Sequence, residues 1–326
     1  MKKILAFILI GSALVSCRKE EVGVTEGPNL TDIYGTFSVV TALAPSQPTV
    51  DFAAGETVYF TAETSKLTDW KLTITGQTSG AEKIIEGVGT TLSQSDATWD
   101  GSTTNFPMFQ AEVCDVSLTF DGETDTLTTT VTVGAAKVNQ GFVLADFETG
   151  YLSGWTNFIQ SGGNMDFNIK TDATSPQEGS YINMQGTVNW DWLIGLLDFN
   201  ATAYNETTLP LSDNASNLYF NALVYGEAGL SNSLVLFRFD EDENEDGTFD
   251  GASEDQFQKE IPIDWVGWRL ISIRYDELDG GGTGDGAFDP DKLNKVSVLH
   301  LANPSSGFAK SGLDYMIFTE NGPLQP

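Results

Sequence analysis

Two stretches of the chain carry residue types whose spacing can do chemistry. One is the run from Asp240 to Asp250, which contains Asp-x-Asn-x-Asp-Gly-x-x-Asp beginning at Asp242. Asp242, Asn244, Asp246 and Asp250 offer side-chain oxygens with the alternating spacing of a calcium loop, and Gly247 permits the sharp turn. Glu254 follows near the place of a closing bidentate acid but one residue late, since the EF-hand position is Ser253 and the preceding segment reads as strand, not helix. A disordered acidic turn is the competing reading. The other stretch is Asn189-Trp190-Asp191-Trp192. If it is extended, the indoles at i and i+2 point from one face. Sugars present apolar C–H faces and hydroxyl rims, so paired indoles beside Asn189 and Asp191 supply stacking and hydrogen bonds together. Trp265 and Tyr225 are further candidates for that surface. Core packing of one or both indoles is the alternative, because seven Trp in the chain allow it.

Catalysis finds little support in the residues. The single histidine, His300, lies in the apolar run Val298-Leu299-His300-Leu301 and reads as packed or edge-exposed on a strand. No Ser/His/Asp set, zinc-ligand cluster or phosphate loop can be assembled. A glycosidase needs only two carboxylates, so that chemistry stays open. The balance of 46 acidic against 16 basic residues disfavours nucleic acid or any anionic surface as a partner.

The elements that hold these stretches read as all-β. Segments such as Glu56–Ala62, Trp70–Thr75, Cys114–Phe120 and Leu127–Val133 alternate apolar and polar residues between Gly or Asp breaks, and no long helix is convincing. Their spacing indicates an Ig-like or PKD-like β-sandwich spacer over 36–137, with Trp70 in its core and Trp99-Asp100-Gly101 at a turn. Cys114 reads as a small buried hydrophobe. After a boundary near Gly134–Gly141, further strands over 141–326 fit a two-sheet jelly roll. One short helix is expected at Asp289–Leu293, from an N-cap Asp followed by Pro. The stretch Asp279–Gly286 reads as a flexible loop.

At the other end of the chain, Lys2, Lys3, an apolar run from Ile4 to Val15, and Leu14-Val15-Ser16-Cys17 form a secretory signal with a lipobox. Residues 1–16 are then the signal peptide, Cys17 becomes the lipidated N-terminus, and 17–35 is a flexible stalk. With Cys17 lipidated, Cys114 has no disulfide partner. Arg18-Lys19-Glu20-Glu21 resembles the export signal of Bacteroidetes-type surface lipoproteins, which implies an outer-membrane, cell-surface, lipid-anchored protein.

A second resemblance covers roughly 141–320. Asp146-Phe147-Glu148 with Trp155, then Ser175–Tyr181, then Gly267–Ile273, then Leu313–Ile317 follow one another as in the galactose-binding-like jelly rolls of carbohydrate-binding modules. The family implies a structural calcium held by an acid of the opening motif, a carbonyl at the Gly-Ser turn and an Asp of the final strand. By match these are Glu148, Gly179 or Ser180, and Asp314. The family also places Trp268 at a core position. The whole is similar to the SusE/SusF-like accessory proteins of starch-utilisation-type systems. That implies a non-catalytic lipoprotein that binds a polysaccharide or oligosaccharide, with a β-glucan as one option, and works beside a SusC/SusD-like transporter and surface hydrolases. The alternatives are a polysaccharide-degrading enzyme on a jelly-roll fold and a calcium-stabilised adhesin.

Overall fold

The computed structural model describes residues 35–172, 175–176, 179–189, 192–302 and 307–326. Cys17, the signal, the stalk up to residue 34, Trp190 and Asp191 lie outside them. Among the described residues no helix is long and apolar enough to cross a membrane.

The fold is all-β, in two bodies with separate cores. The first contains β1 (Val39–Pro45), β2 (Thr49–Asp51), β3 (Val58–Gly76), β4 (Glu82–Leu92), β5 (Thr98–Trp99), β6 (Val113–Phe120) and β7 (Thr126–Ala135). Alternation in β3 buries Val58, Phe60 and Ala62 near its start and Trp70, Leu72 and Ile74 near its end. One long strand therefore serves two stretches of pairing: β1 and β5 at its first half, β6 at its second, and β4 along both. Trp70 is buried as expected, its indole lying so close to Gly87 that any side chain there would collide with it. Trp99 is fully buried between Phe52 and Phe109, each 4.7 Å away between ring centroids. Cys114 is buried, and burial pushes its thiol up to about 12.

The second body is made of β8 (Phe142–Ala145), β9 (Thr156–Ile159), β10 (Asn164–Thr171), β11 (Ser180–Val188), β12 (Leu193–Asn200), β13 (Leu218–Gly226), β14 (Ser233–Glu241), β15 (Gln256–Ile263), β16 (Gly267–Arg274), β17 (Asp279–Gly280), β18 (Leu293–Ala302) and β19 (Gly307–Glu320). They form two six-stranded sheets. In one the order is β10-β11-β19-β13-β16, with β8 on β19; in the other it is β17-β15-β14-β18-β12-β9. The sheets face each other over Phe220, whose ring lies 5.0–5.2 Å from those of Phe237, Phe239 and Phe318. Burying each such ring stabilises the fold by about 1.5–3 kcal/mol. His300 points into this core, fully buried against Ser311 of the opposite sheet, and burial lowers it to about 4.

Two local expectations change. The helix at Asp289 is only a single 3-10 turn, Pro290–Lys292, and Asp289 makes no side-chain cap. Three residues with Leu293 already committed to β18 leave no room for an α-turn. Asp279–Gly286 does not hang free: Asp255, fully buried, accepts the N–H groups of Gly282 and Gly286 at 2.7 and 2.6 Å. The glycines let the backbone wrap a buried carboxylate.

Candidate functional site

The outer face of the first jelly-roll sheet gathers groups that come from five strands. In β13, Leu218, Phe220, Ala222 and Val224 face the core, so Leu223 and Tyr225 face outward. Register then defines a row across the sheet. Trp268 of β16 pairs with Tyr225 of β13, Tyr225 with Gly312 of β19, Gly312 with Asn183 of β11, and Asn183 with Asn168 of β10. The row reads Trp268, Tyr225, Gly312, Asn183, Asn168: two aromatic rings, a gap, two amides. A side-chain carbon at Gly312 would sit 2.9 Å from Tyr225 Cβ, 3.2 Å from the Trp268 ring and 3.4 Å from the Tyr181 ring, so glycine leaves room for the Trp268 and Tyr181 rings over the sheet. Tyr181 closes the gap from the other side, its ring 5.4 Å from Trp268 and nearly perpendicular to it, while Tyr225 lies 5.3 Å from Trp268.

Polar groups flank this row. Gln185 pairs with Lys310 and with Asp166 in the adjacent row, and Lys310 forms a 2.6 Å ion pair with Glu227. Asn183 donates to Gln185 at 3.3 Å, and the Tyr181 hydroxyl donates to Asp172 at 3.4 Å. Asn168 and Asp166 are exposed. Trp268 and Tyr225 are half-exposed and Asn168 and Asp166 exposed, whereas Tyr181 and Asn183 are buried beneath them, so the groups a sugar could reach are the two half-exposed rings for C–H stacking and the exposed polar side chains at the margin.

The residues singled out in the sequence are dispersed relative to this face. Trp192 is exposed just before β12, with Asn189 also exposed in the same β11–β12 connection. Trp265 is half-buried against the core, donates its indole N–H to Val224 O at 3.3 Å and carries Arg269 over its ring at 4.3 Å, so it packs rather than presents a face. Tyr225 belongs to the row. Trp268, expected in the core, is on the outer face instead, because Ile271 and Ile273 take the core positions of β16. Tyr181, Asn183, Asn168 and Gln185 were not anticipated. Their only sequence signal is the alternation of β11 and β10, which does not say which neighbouring strand completes the face.

Acids collect elsewhere. Glu148 accepts the N–H of Ser180 at 2.8 Å, and a side chain at Gly179 would overlap its carboxylate. Asp314 of β19 is fully buried, with Oδ1 taken by the Tyr315 N–H and Oδ2 unpartnered. Burial, with Glu148 and Asp146 nearby, raises its carboxyl well above the ordinary range. Left-handed Phe147 (φ 58°) turns the backbone so that Glu148 N–H reaches Asp146. The structure thus brings Glu148, Gly179 and Asp314 together and adds Asp146. The unpartnered buried oxygen of Asp314 is a donor a hard cation could use, but Asp146, Glu148 and Asp314 do not bring carboxylate oxygens within 4.8 Å of one another as a group.

The acidic β14–β15 loop is also ordered around carboxylates. Asp242, fully buried, accepts the N–H groups of Asp246 and Gly247, and buried Glu254 accepts those of Asn244 and Asp250. Asp246 and Asp250 in turn accept Thr248 and Ala252 N–H. The Asp242 and Glu254 carboxylates are thus both engaged with the loop backbone. Beyond the loop, Glu243, Asp255 and Asp285 hold carboxylate oxygens within 4.8 Å of one another.

No family model matches the chain, and no curated protein matches it. Among solved structures it is similar to a family 11 carbohydrate-binding module from Clostridium thermocellum in complex with a β-1,3-1,4-mixed-linked tetrasaccharide. The identity is 18% over 57% of this chain and 98% of that one, with a TM-score of 0.39. It is also similar to SGBP-B from a complex xyloglucan utilization locus in Bacteroides uniformis. There the identity is 16% over 87% of this chain and 73% of the other, with a TM-score of 0.37.

Proposed function

We propose that the protein is a non-catalytic polysaccharide-binding protein whose ligand lies on the outer face of the first jelly-roll sheet. The row Trp268-Tyr225-Gly312-Asn183-Asn168 carries this reading, because it sets stacking surfaces and amide groups side by side on one face. Its shallow platform suits a neutral chain with many hydroxyls and leaves the identity of the glycan, β-glucan or another, to be read by experiment. His300 takes no part: it is sealed in the core and held neutral.

The lipobox at Cys17 supports an outer-membrane, cell-surface location, with the membrane touched through the lipid alone and a SusC/SusD-like transporter as the receiving partner. Calcium is the cation proposed for Asp146, Glu148, Asp314 and the Gly179 carbonyl, and for the loop of Asp242, Asn244, Asp246 and Asp250. Its role there is structural.

Native gels cast with a panel of neutral and anionic polysaccharides test the function, run on residues 29–326 with calcium and with chelator. Retardation by at least one polymer without release of reducing ends is the expected result. Shortening of a polymer makes the protein an enzyme, and no retardation by any polymer favours the adhesin.

A further inference from the structure

The aromatic platform occupies only part of its sheet face, and the remainder is roofed. Next to the Trp268–Tyr225 pair stand Leu270 and Leu223, with Tyr315 and Ile317 of β19 on the same side. Leu223 and Ile317 are fully buried although they face away from the jelly-roll core. What covers them comes from two distant parts of the chain. Phe106 and Met108, in the β5–β6 connection of the first body, pack into this cluster together with Leu324 of the C-terminal tail and with Trp268 itself.

Directional bonds fix the roof. Thr103 N–H donates to Pro326 O at 2.9 Å, joining loop to tail, and Leu324 N–H donates to Asn221 Oδ1 at 2.9 Å. Asn221 is fully buried on the sheet face and is also held by Ser272 through a 2.7 Å bond. Met108 N–H donates to Pro176 O, in the β10–β11 connection. That connection also carries Asp172, the acceptor of the Tyr181 hydroxyl. Both sides of the platform are therefore tied to one loop of the first body: Trp268 through the apolar cluster, and Tyr181 through the connection that Met108 grips.

We infer that the loop 103–108, through Phe106 and Met108, together with the Leu324 tail, positions Trp268 and Tyr181 for ligand and closes the platform on that side. The first body is then part of the binding device and not a spacer. Phe106 and Met108 are positioning residues: they hold aromatic rings in one arrangement before the ligand arrives, so that less ordering is needed on binding. This rests on the glycan-binding reading for its affinity consequence, and on geometry alone for the state of Trp268.

The test uses the full-length chain with three variants: Phe106→Ser/Met108→Ser, Phe106→Leu/Met108→Leu, and Leu324→Ser, which loosens the roof from the other side and serves if the first fails to fold. Two quantities are read. One is affinity for whichever polysaccharide retards the wild type. The other is acrylamide quenching of Trp268, isolated by subtracting the same protein carrying Trp268→Phe. The Ser variants should raise Trp268 quenching and weaken glycan binding roughly tenfold, the scale of losing one well-packed contact, while the Leu pair restores both. Unchanged quenching in both Ser variants overturns the inference, and so does raised quenching with unchanged affinity. If the wild type binds no polysaccharide, the proposed function fails while the quenching result still decides whether the first body holds Trp268.

Discussion

The jelly roll carries two polar regions built on opposite terms. In the acidic sites, Asp314 on one sheet and Glu241, Asp242 and Asp255 about the β14–β15 loop on the other are fully buried, and their partners are chiefly backbone N–H groups. On the aromatic face the groups are ring surfaces, amides and ion pairs at the margin, none requiring a cation to be stable. Buried carboxylates without a full complement of partners cost stability until a proton or a cation arrives. A ring lying on a glycine costs little. The two regions should accordingly answer to different variables, pH and divalent cations for one and glycan for the other.

The largest expected effect is on pH. Burial, partly offset by the hydrogen bond from Tyr275, raises Glu241 to about 8. A carboxyl raised above its unfolded value contributes stability that is fully present below the unfolded pKa near 4.5 and is lost as pH rises through 8. In chelator Glu241 should cost the protein about 5 kcal/mol of stability between those limits, and Glu241→Gln should remove that part of the slope; denaturant melts at a series of pH values measure it. A flat wild-type curve would show that Glu241 is satisfied by something other than a proton.

Next is the cation. Calcium at one hundred times its dissociation constant should stabilise the fold by about 2.7 kcal/mol per site, with glycan retardation unchanged. Asp314→Asn should remove part of that response and, by deleting an unpaired buried charge, make the chelated protein more stable at pH 7 than the wild type. If calcium removal abolishes glycan retardation at temperatures well below melting, the separation of the two regions is broken.

Trp268→Ala should weaken binding to the retarding polysaccharide at least tenfold, about 1.4 kcal/mol, in affinity gels. Calcium-dependent melting should survive that change. The smallest effect belongs to Trp192→Ala: it is exposed away from the row, so stability should move by less than about 0.5 kcal/mol and retardation should persist. Loss of retardation in Trp192→Ala but not in Trp268→Ala would move the ligand site to the β11–β12 connection.

Local pattern made several features readable. Alternation of period two in β3, β6 and β7 identified strands and their buried side, and Trp70 and Cys114 follow from it. The carboxylate-rich loop after Asp240 is legible as a turn because its acids alternate along adjacent residues, and the structure shows them accepting the loop's own N–H groups. The trio Glu148, Gly179 and Asp314 came only through resemblance, since no local rule joins positions so far apart in sequence.

Other features needed the third dimension. The family resemblance puts Trp268 in the core, and only the packing of β16 shows that Ile271 and Ile273 face inward and Trp268 outward. The row that Trp268 completes joins β10, β11, β19, β13 and β16, an order unrelated to their order along the chain. The roof of Phe106, Met108 and Leu324 is more distant still. Sequence determined which segments are strands and which side chains alternate, because those depend on neighbours one or two residues away. Tertiary structure decided which apolar face is covered and which is left open, because that depends on what other parts of the chain arrive to bury it.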